Sequence, residues 1–175
     1  MDTCLVLTVI SDDRPGVIEQ IANCVDQHKG SWQESRMAHL DGKFAGILRV
    51  SCATEHVEAL SKALSALESQ GIQVLLSQGQ SNQAVNQQSI NISAIGPDRP
   101  GIVLELSRAF AQRSINVAQL DTDCSSMPWS GDPQFEAHYQ LHMQDGCNMD
   151  ELQERLDSIA DDLALDIQII ESGSD

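Results

Sequence analysis

The chain is short of positive charge. Ten lysines and arginines stand against 26 aspartates and glutamates, a formal net charge of −16. The basic positions are scattered, and affinity for phosphate backbones needs clustered cations, so direct nucleic-acid binding is disfavoured. Acid is densest near the end, where positions 145–175 hold ten acidic residues and one basic residue, Arg155. That stretch reads as a solvated helix face and tail, or as a docking surface for a basic partner.

Cysteine is sparse and badly placed for cross-linking. Cys4, Cys24, Cys52, Cys124 and Cys147 are odd in number and show no Cys-x-x-Cys spacing, which argues against a disulfide framework and a zinc knuckle. A reducing cytoplasm fits that usage. Long apolar runs are missing too: the run from Cys4 to Ile10 is too short for a signal sequence or membrane span and has no basic stretch before it. Asn91-Ile92-Ser93 matches a glycosylation acceptor but falls in a predicted strand of a chain that is not expected to be secreted, and is discounted.

Signatures of catalysis are also wanting. Gly96 and Gly101 have the glycine spacing of a phosphate loop, yet Ile102 and Val103 stand where such a loop needs lysine and a hydroxyl residue. No dinucleotide fingerprint occurs, and no nucleophile elbow. His138 and His142 share one side of a predicted strand about 13 Å apart, too far to share a metal ion. Asp121 and Asp123 share a strand face with no third oxygen ligand evident. No cofactor, metal or catalytic residue is expected, and Cys24 and Cys52 read as packing residues.

What the chain does have is a string that occurs twice: Asp13-Arg14-Pro15-Gly16-Val17 returns as Asp98-Arg99-Pro100-Gly101-Ile102. Each copy follows an apolar alternation and opens a helical pattern. Proline at the first helical position loses an N–H that has no intrahelical partner, and aspartate ahead of it can cap the remaining free donors. Glycine after proline leaves room for an anion at the positive end of the helix, a potential carboxylate site.

The two halves align beyond that string. Leu5, Leu7 and Val9 alternate as Ile90, Ile92 and Ala94 do 85 residues later, and Val17, Ile18, Ile21 and Val25 form a helical stripe matched by Ile102, Val103, Leu106 and Phe110. Second strands are predicted over Ser31–Leu40 and Asn116–Ser125. Third strands alternate through Phe44 to Cys52 and Phe135 to Met143, with the extra length of the second half in the loop Ser126–Pro133. Leu60, Leu64 and Leu67 mark a second helix answered by Leu152, Leu156 and Ile159, and each half closes on an apolar strand, Val74–Leu76 or Ile167–Ile169. The order is βαββαβ twice.

The fold class is therefore α+β: two ferredoxin-like units, each an antiparallel four-stranded sheet with both helices on one face. Residues 1–80 form the first, the polar stretch 81–88 links them, and 89–175 form the second. Units this small bury a modest fraction of their surface, which favours a shared face or a homodimer. Asn91, Ser93, His138 and Gln140 are predicted on the open face of the second sheet. Ser31 and Asn116, opening the second strands, are expected near the helix starts, where hydroxyl and amide groups hold an amino or carboxylate group.

An Asp-Arg-Pro-Gly-[Val/Ile] turn between strand and helix, repeated inside βαββαβ, closely resembles the ACT domain family of amino-acid-sensing regulatory modules. Together with Glu34-Ser35-Arg36-Met37-Ala38 it is most similar to the family of glycine cleavage system transcriptional repressors. The resemblance implies a non-enzymatic regulator that binds a small amino acid, glycine or serine first, where the strand-to-helix loop meets a neighbouring unit. The ligand contacts it implies are Asp13, Arg14, Pro15, Gly16 and Val17 with Ser31, and Asp98, Arg99, Pro100, Gly101 and Ile102 with Asn116. Ser31 and the bulky Trp32 depart from the pattern, which makes the second half the better binder. The resemblance also implies action through a protein partner such as a DNA-binding activator. A regulatory or assembly subunit working in trans on an amino-acid or one-carbon enzyme remains the alternative.

Overall fold

Alternating apolar residues become strands because successive side chains point to opposite faces, and the inner strands of each sheet bury one of those faces. In a computed structural model, which describes residues 2–79, 88–128, 130–144 and 146–171, the chain divides into two units, Met1–Gln83 and Ala84–Asp175. Most of the predicted linker, 81–87, lies outside the described residues, and Gln88 already belongs to a strand.

The first unit runs β1 (Asp2–Asp12), α1 (Val17–Gln27), β2 (Ser31–Leu40), β3 (Lys43–Ala53), α2 (Val57–Ala66) and β4 (Ile72–Gln78). Its sheet is antiparallel in the order β2-β3-β1-β4. Leu5, Leu7 and Val9 of β1 and Leu48, Val50 and Cys52 of β3 meet Val17, Ile21, Cys24 and Val25 of α1 and Leu60 and Leu64 of α2 in one buried cluster. Full burial of an aliphatic side chain is worth about 1.5–3 kcal/mol, so this face is what holds the short helices in place.

The second unit repeats the plan with β5 (Gln88–Pro97), α3 (Ile102–Ala111), β6 (Asn116–Ser126), β7 (Pro133–Met143), α4 (Met149–Leu163) and β8 (Asp166–Glu171), in sheet order β6-β7-β5-β8. Ile90, Ile92 and Ala94 face Leu106, Phe110, Leu152, Leu156 and Ile159 in its core. The repetition extends to an irregularity: β2 shifts register between Trp32 and Glu34, and β6 does so between Val117 and Gln119. Bulges of this kind twist an edge strand and interrupt its template for pairing.

The two helices that follow the repeated string begin differently from the sequence expectation. Helix α1 starts at Val17 and α3 at Ile102, each capped by glycine with φ of 89° at Gly16 and 98° at Gly101. With ψ near zero at both, these are the angles of the third residue of a type II turn, for which proline favours the position before it. Pro15 and Pro100 therefore belong to the turn rather than to the first helical position, and neither Asp13 nor Asp98 caps a helix. Helix α4 shows what a side-chain cap looks like in this protein: the Asn148 carboxamide oxygen accepts from the backbone N–H of Asp150 at 3.1 Å and Glu151 at 3.4 Å.

Candidate functional site

A type II turn entering a helix through glycine leaves the first-turn N–H groups without a side-chain acceptor, at the positive end of the helix. Both copies of the turn border a cleft. In the second unit Arg99, Gly101, Ile102, Val103, Leu104, Ser107 and Phe135 line an open cleft of about 580 Å³. In the first, Asp13, Arg14, Gly16, Val17, Ile18, Glu19 and Phe44 line one of about 360 Å³. A Cβ at Gly101 would meet nothing within 4 Å, so glycine is there for its backbone angle and not for space.

The two clefts have the same architecture and opposite electrostatics. Arg14 donates through Nη2 to the carbonyl of Gln70 at 2.8 Å. That carbonyl is presented because α2 ends at Ala66 and tightens into a 3₁₀ turn over Leu67–Gln70, exposing backbone acceptors that an arginine can satisfy. In the second unit α4 continues to Leu163, and Arg99 makes no hydrogen bond or ion pair among the described residues. The first cleft also carries two carboxylates, Asp13 and Glu19, with His39 Nε2 3.7 Å from Asp13. The position of Glu19 is taken by Leu104 in the second unit, and among the described residues no carboxylate lines that cleft. Glu105, one residue further along α3, is held by Arg108 at 3.0 Å and Arg155 at 3.2 Å. An anion is thus favoured in the second cleft and opposed in the first.

Residues 3–76 match the model of the ACT domain family. The first unit is an ACT domain. Among solved structures, a protein of unknown function from Galdieria sulphuraria superposes with a TM-score of 0.88 at 23% identity, over 98% of this chain and 99% of its own. A candidate glycine cleavage system transcriptional repressor superposes with a TM-score of 0.72 at 22% identity, over 98% and 99%. At these identities the superpositions establish the fold, and the second unit repeats the element order and sheet order of the first. No curated protein matches the chain.

Within each unit the loop residues named from sequence lie together at the turn, but Ser31 and Asn116 do not join them. Asn116 pairs with His142, which pairs with Ser89, whereas the turn follows Pro97 at the other end of β5. Eight residues of strand separate the two rows, about 26 Å. Ser31 pairs with Ser51, opposite Cys4, and is equally far from the turn that follows Asp12. The cause is elementary: each second strand begins just beyond the helix C-terminus, so its start lies a helix length away from the N-terminus. Phe44 and Phe135, which the sequence marks only as strand residues, supply the apolar walls, and Ser107 supplies a hydroxyl.

Elsewhere in the second sheet Asn91 pairs with Gln140 and Ser93 with His138; His138 and Gln140 are exposed and Asn91 half-buried, but Ser93, expected on the exposed face, is buried. His138 hydrogen-bonds Glu136 at 2.8 Å, and Gln119 donates to Asp121 at 2.8 Å. Cys24 and Cys52 are buried in the first core, and burial pushes both thiols up from the ordinary range. Among the described residues no helix is long and apolar enough to cross a membrane.

Proposed function

We propose that the chain is an amino-acid-responsive regulatory protein whose second ACT unit holds the ligand. The observation that carries this reading is the Arg99 guanidinium, uncommitted among the described residues, beside the open N-terminal turn of α3, in a cleft that no described carboxylate lines. A small amino acid, glycine or serine first, places its carboxylate against Arg99 and the backbone N–H groups of the turn, a charge-assisted arrangement stronger than neutral hydrogen bonds. The matching cleft of the first unit, with Arg14 engaged and Asp13 and Glu19 on its walls, serves structure.

Ligand binding regulates only if one arrangement of the protein binds the amino acid better than another. The likeness to a candidate glycine cleavage system repressor supports transcription of that system as the process regulated. The net charge of −16 supports action through a protein such as a DNA-binding activator in place of direct contact with DNA. Thermal-shift screening of the twenty amino acids tests the reading. Stabilisation by glycine or serine that disappears in Arg99→Ala is the expected result; no response to any amino acid overturns it.

A further inference from the structure

Tyr139 is the one tyrosine in the sequence. It is 1% exposed in the core of the second unit, with its ring edge-on to Phe110 at a centroid distance of 5.2 Å. Its phenol oxygen is buried and makes no hydrogen bond of ordinary geometry among the described residues. Native structures seldom leave such a group without a use.

The polar group beside it is the hydroxyl of Ser107 on α3, which offsets part of the upward push that burial gives the phenol. Ser107 is half-buried and is also a wall of the Arg99 cleft. It follows Val103 by four residues, so it stands on the same helix face one turn above the open N-terminal turn, about 6 Å along the axis. The first unit has neither group: Ala22 and Leu48 occupy the matching positions.

We propose that Ser107, backed by Tyr139, is the specificity-determining group of the second cleft, and that this cleft selects a small amino acid bearing a hydroxyl. The inference rests on the amino-acid reading of that cleft. With the ligand bound, the Tyr139 O–H donates to Ser107 Oγ, a hydroxyl oxygen with two acceptor sites and a single proton. The Ser107 proton is then turned outward to the ligand. A serine whose carboxylate lies at Arg99 and the N–H groups of the helix start offers its side-chain oxygen as the acceptor, which joins the buried phenol to a continuous chain of hydrogen bonds. Alanine fills nearly the same volume between Val103 and Phe135 and lacks that oxygen.

Calorimetric titration of the full chain with L-serine, L-alanine and glycine tests this in the wild type, Ser107→Ala and Tyr139→Phe. In the wild type serine binds about tenfold tighter than alanine, as one well-made hydrogen bond implies. That ratio falls to near one in Ser107→Ala and drops severalfold in Tyr139→Phe. A melting curve of unliganded Tyr139→Phe checks its folding, and it melts no lower than wild type, since the hydroxyl it loses has no bond to lose. A serine-to-alanine ratio near one in the wild type, or unchanged in both variants, overturns the inference while leaving the cleft an amino-acid site. Failure of the wild type to bind all three ligands defeats the underlying reading as well.

Discussion

The Arg14 guanidinium donates to the Gln70 carbonyl at 2.8 Å, tying the first repeated turn to the end of the following helix layer. Arg99, in the same place of the second turn, has no such tie among the described residues. One repeated residue thus has two roles, and they separate on mutation. Arg14→Ala should lower stability by about 0.5 kcal/mol, since the bond is exposed and screened. Arg99→Ala should leave stability unchanged within the error of urea denaturation and remove ligand binding. The midpoints of the two denaturation curves check the first half.

The positive φ angles of Gly16 and Gly101 make a second test. Replacing either by alanine should destabilise by about 1 kcal/mol through backbone strain alone, because the added methyl has room at both positions. Asparagine, which tolerates left-handed backbone better, should cost less than alanine at each site. Chemical denaturation of the four variants gives the comparison.

Helix capping distinguishes the elements further. Asn148→Ala removes the acceptor for Asp150 and Glu151 N–H and should cost about 1 kcal/mol. Asp13→Ala and Asp98→Ala should show no such loss, since neither carboxylate caps its helix. Amide exchange in the first turns of α4, α1 and α3 reports where the caps act.

Tyr139 gives the protein an alkaline limb. Burial raises its phenol above the ordinary tyrosine value, so the native state keeps its proton where the unfolded chain has lost it. Stability from this group is constant at lower pH, starts to fall as pH passes the unfolded value near 10, and continues to fall until the folded value is reached. Ultraviolet titration reads it cleanly because the sequence holds a single tyrosine. Ionisation should come late and together with unfolding, and Tyr139→Phe should flatten the limb.

Much of this architecture is legible in the residues themselves. Leu5, Leu7 and Val9 and their counterparts Ile90, Ile92 and Ala94 alternate because one sheet face is buried and the other open, and that pattern is local. The helix start is less legible, because Pro-Gly serves a type II turn and a helix entry with the same letters, and only the backbone angles tell them apart. Asn116 is misleading for a different reason. Its polarity suits a ligand, but its place is set by the chain reversal after α3, which carries it to the opposite end of the sheet. The contrast between Arg14 and Arg99 is invisible in the sequence, since the residues are identical and the difference lies in where α2 and α4 end. Ser107 and Tyr139, 32 positions apart in sequence, are brought near each other only by the packing of α3 on β7 that sets Phe110 against Tyr139.

The stoichiometry of amino-acid binding distinguishes one functional cleft per chain from two. Calorimetric titration of the full chain with serine, in wild type, Arg14→Ala and Arg99→Ala, should show one site per chain that survives the first substitution and is lost in the second. Two equivalent sites per chain, or a single site indifferent to Arg99, would contradict it.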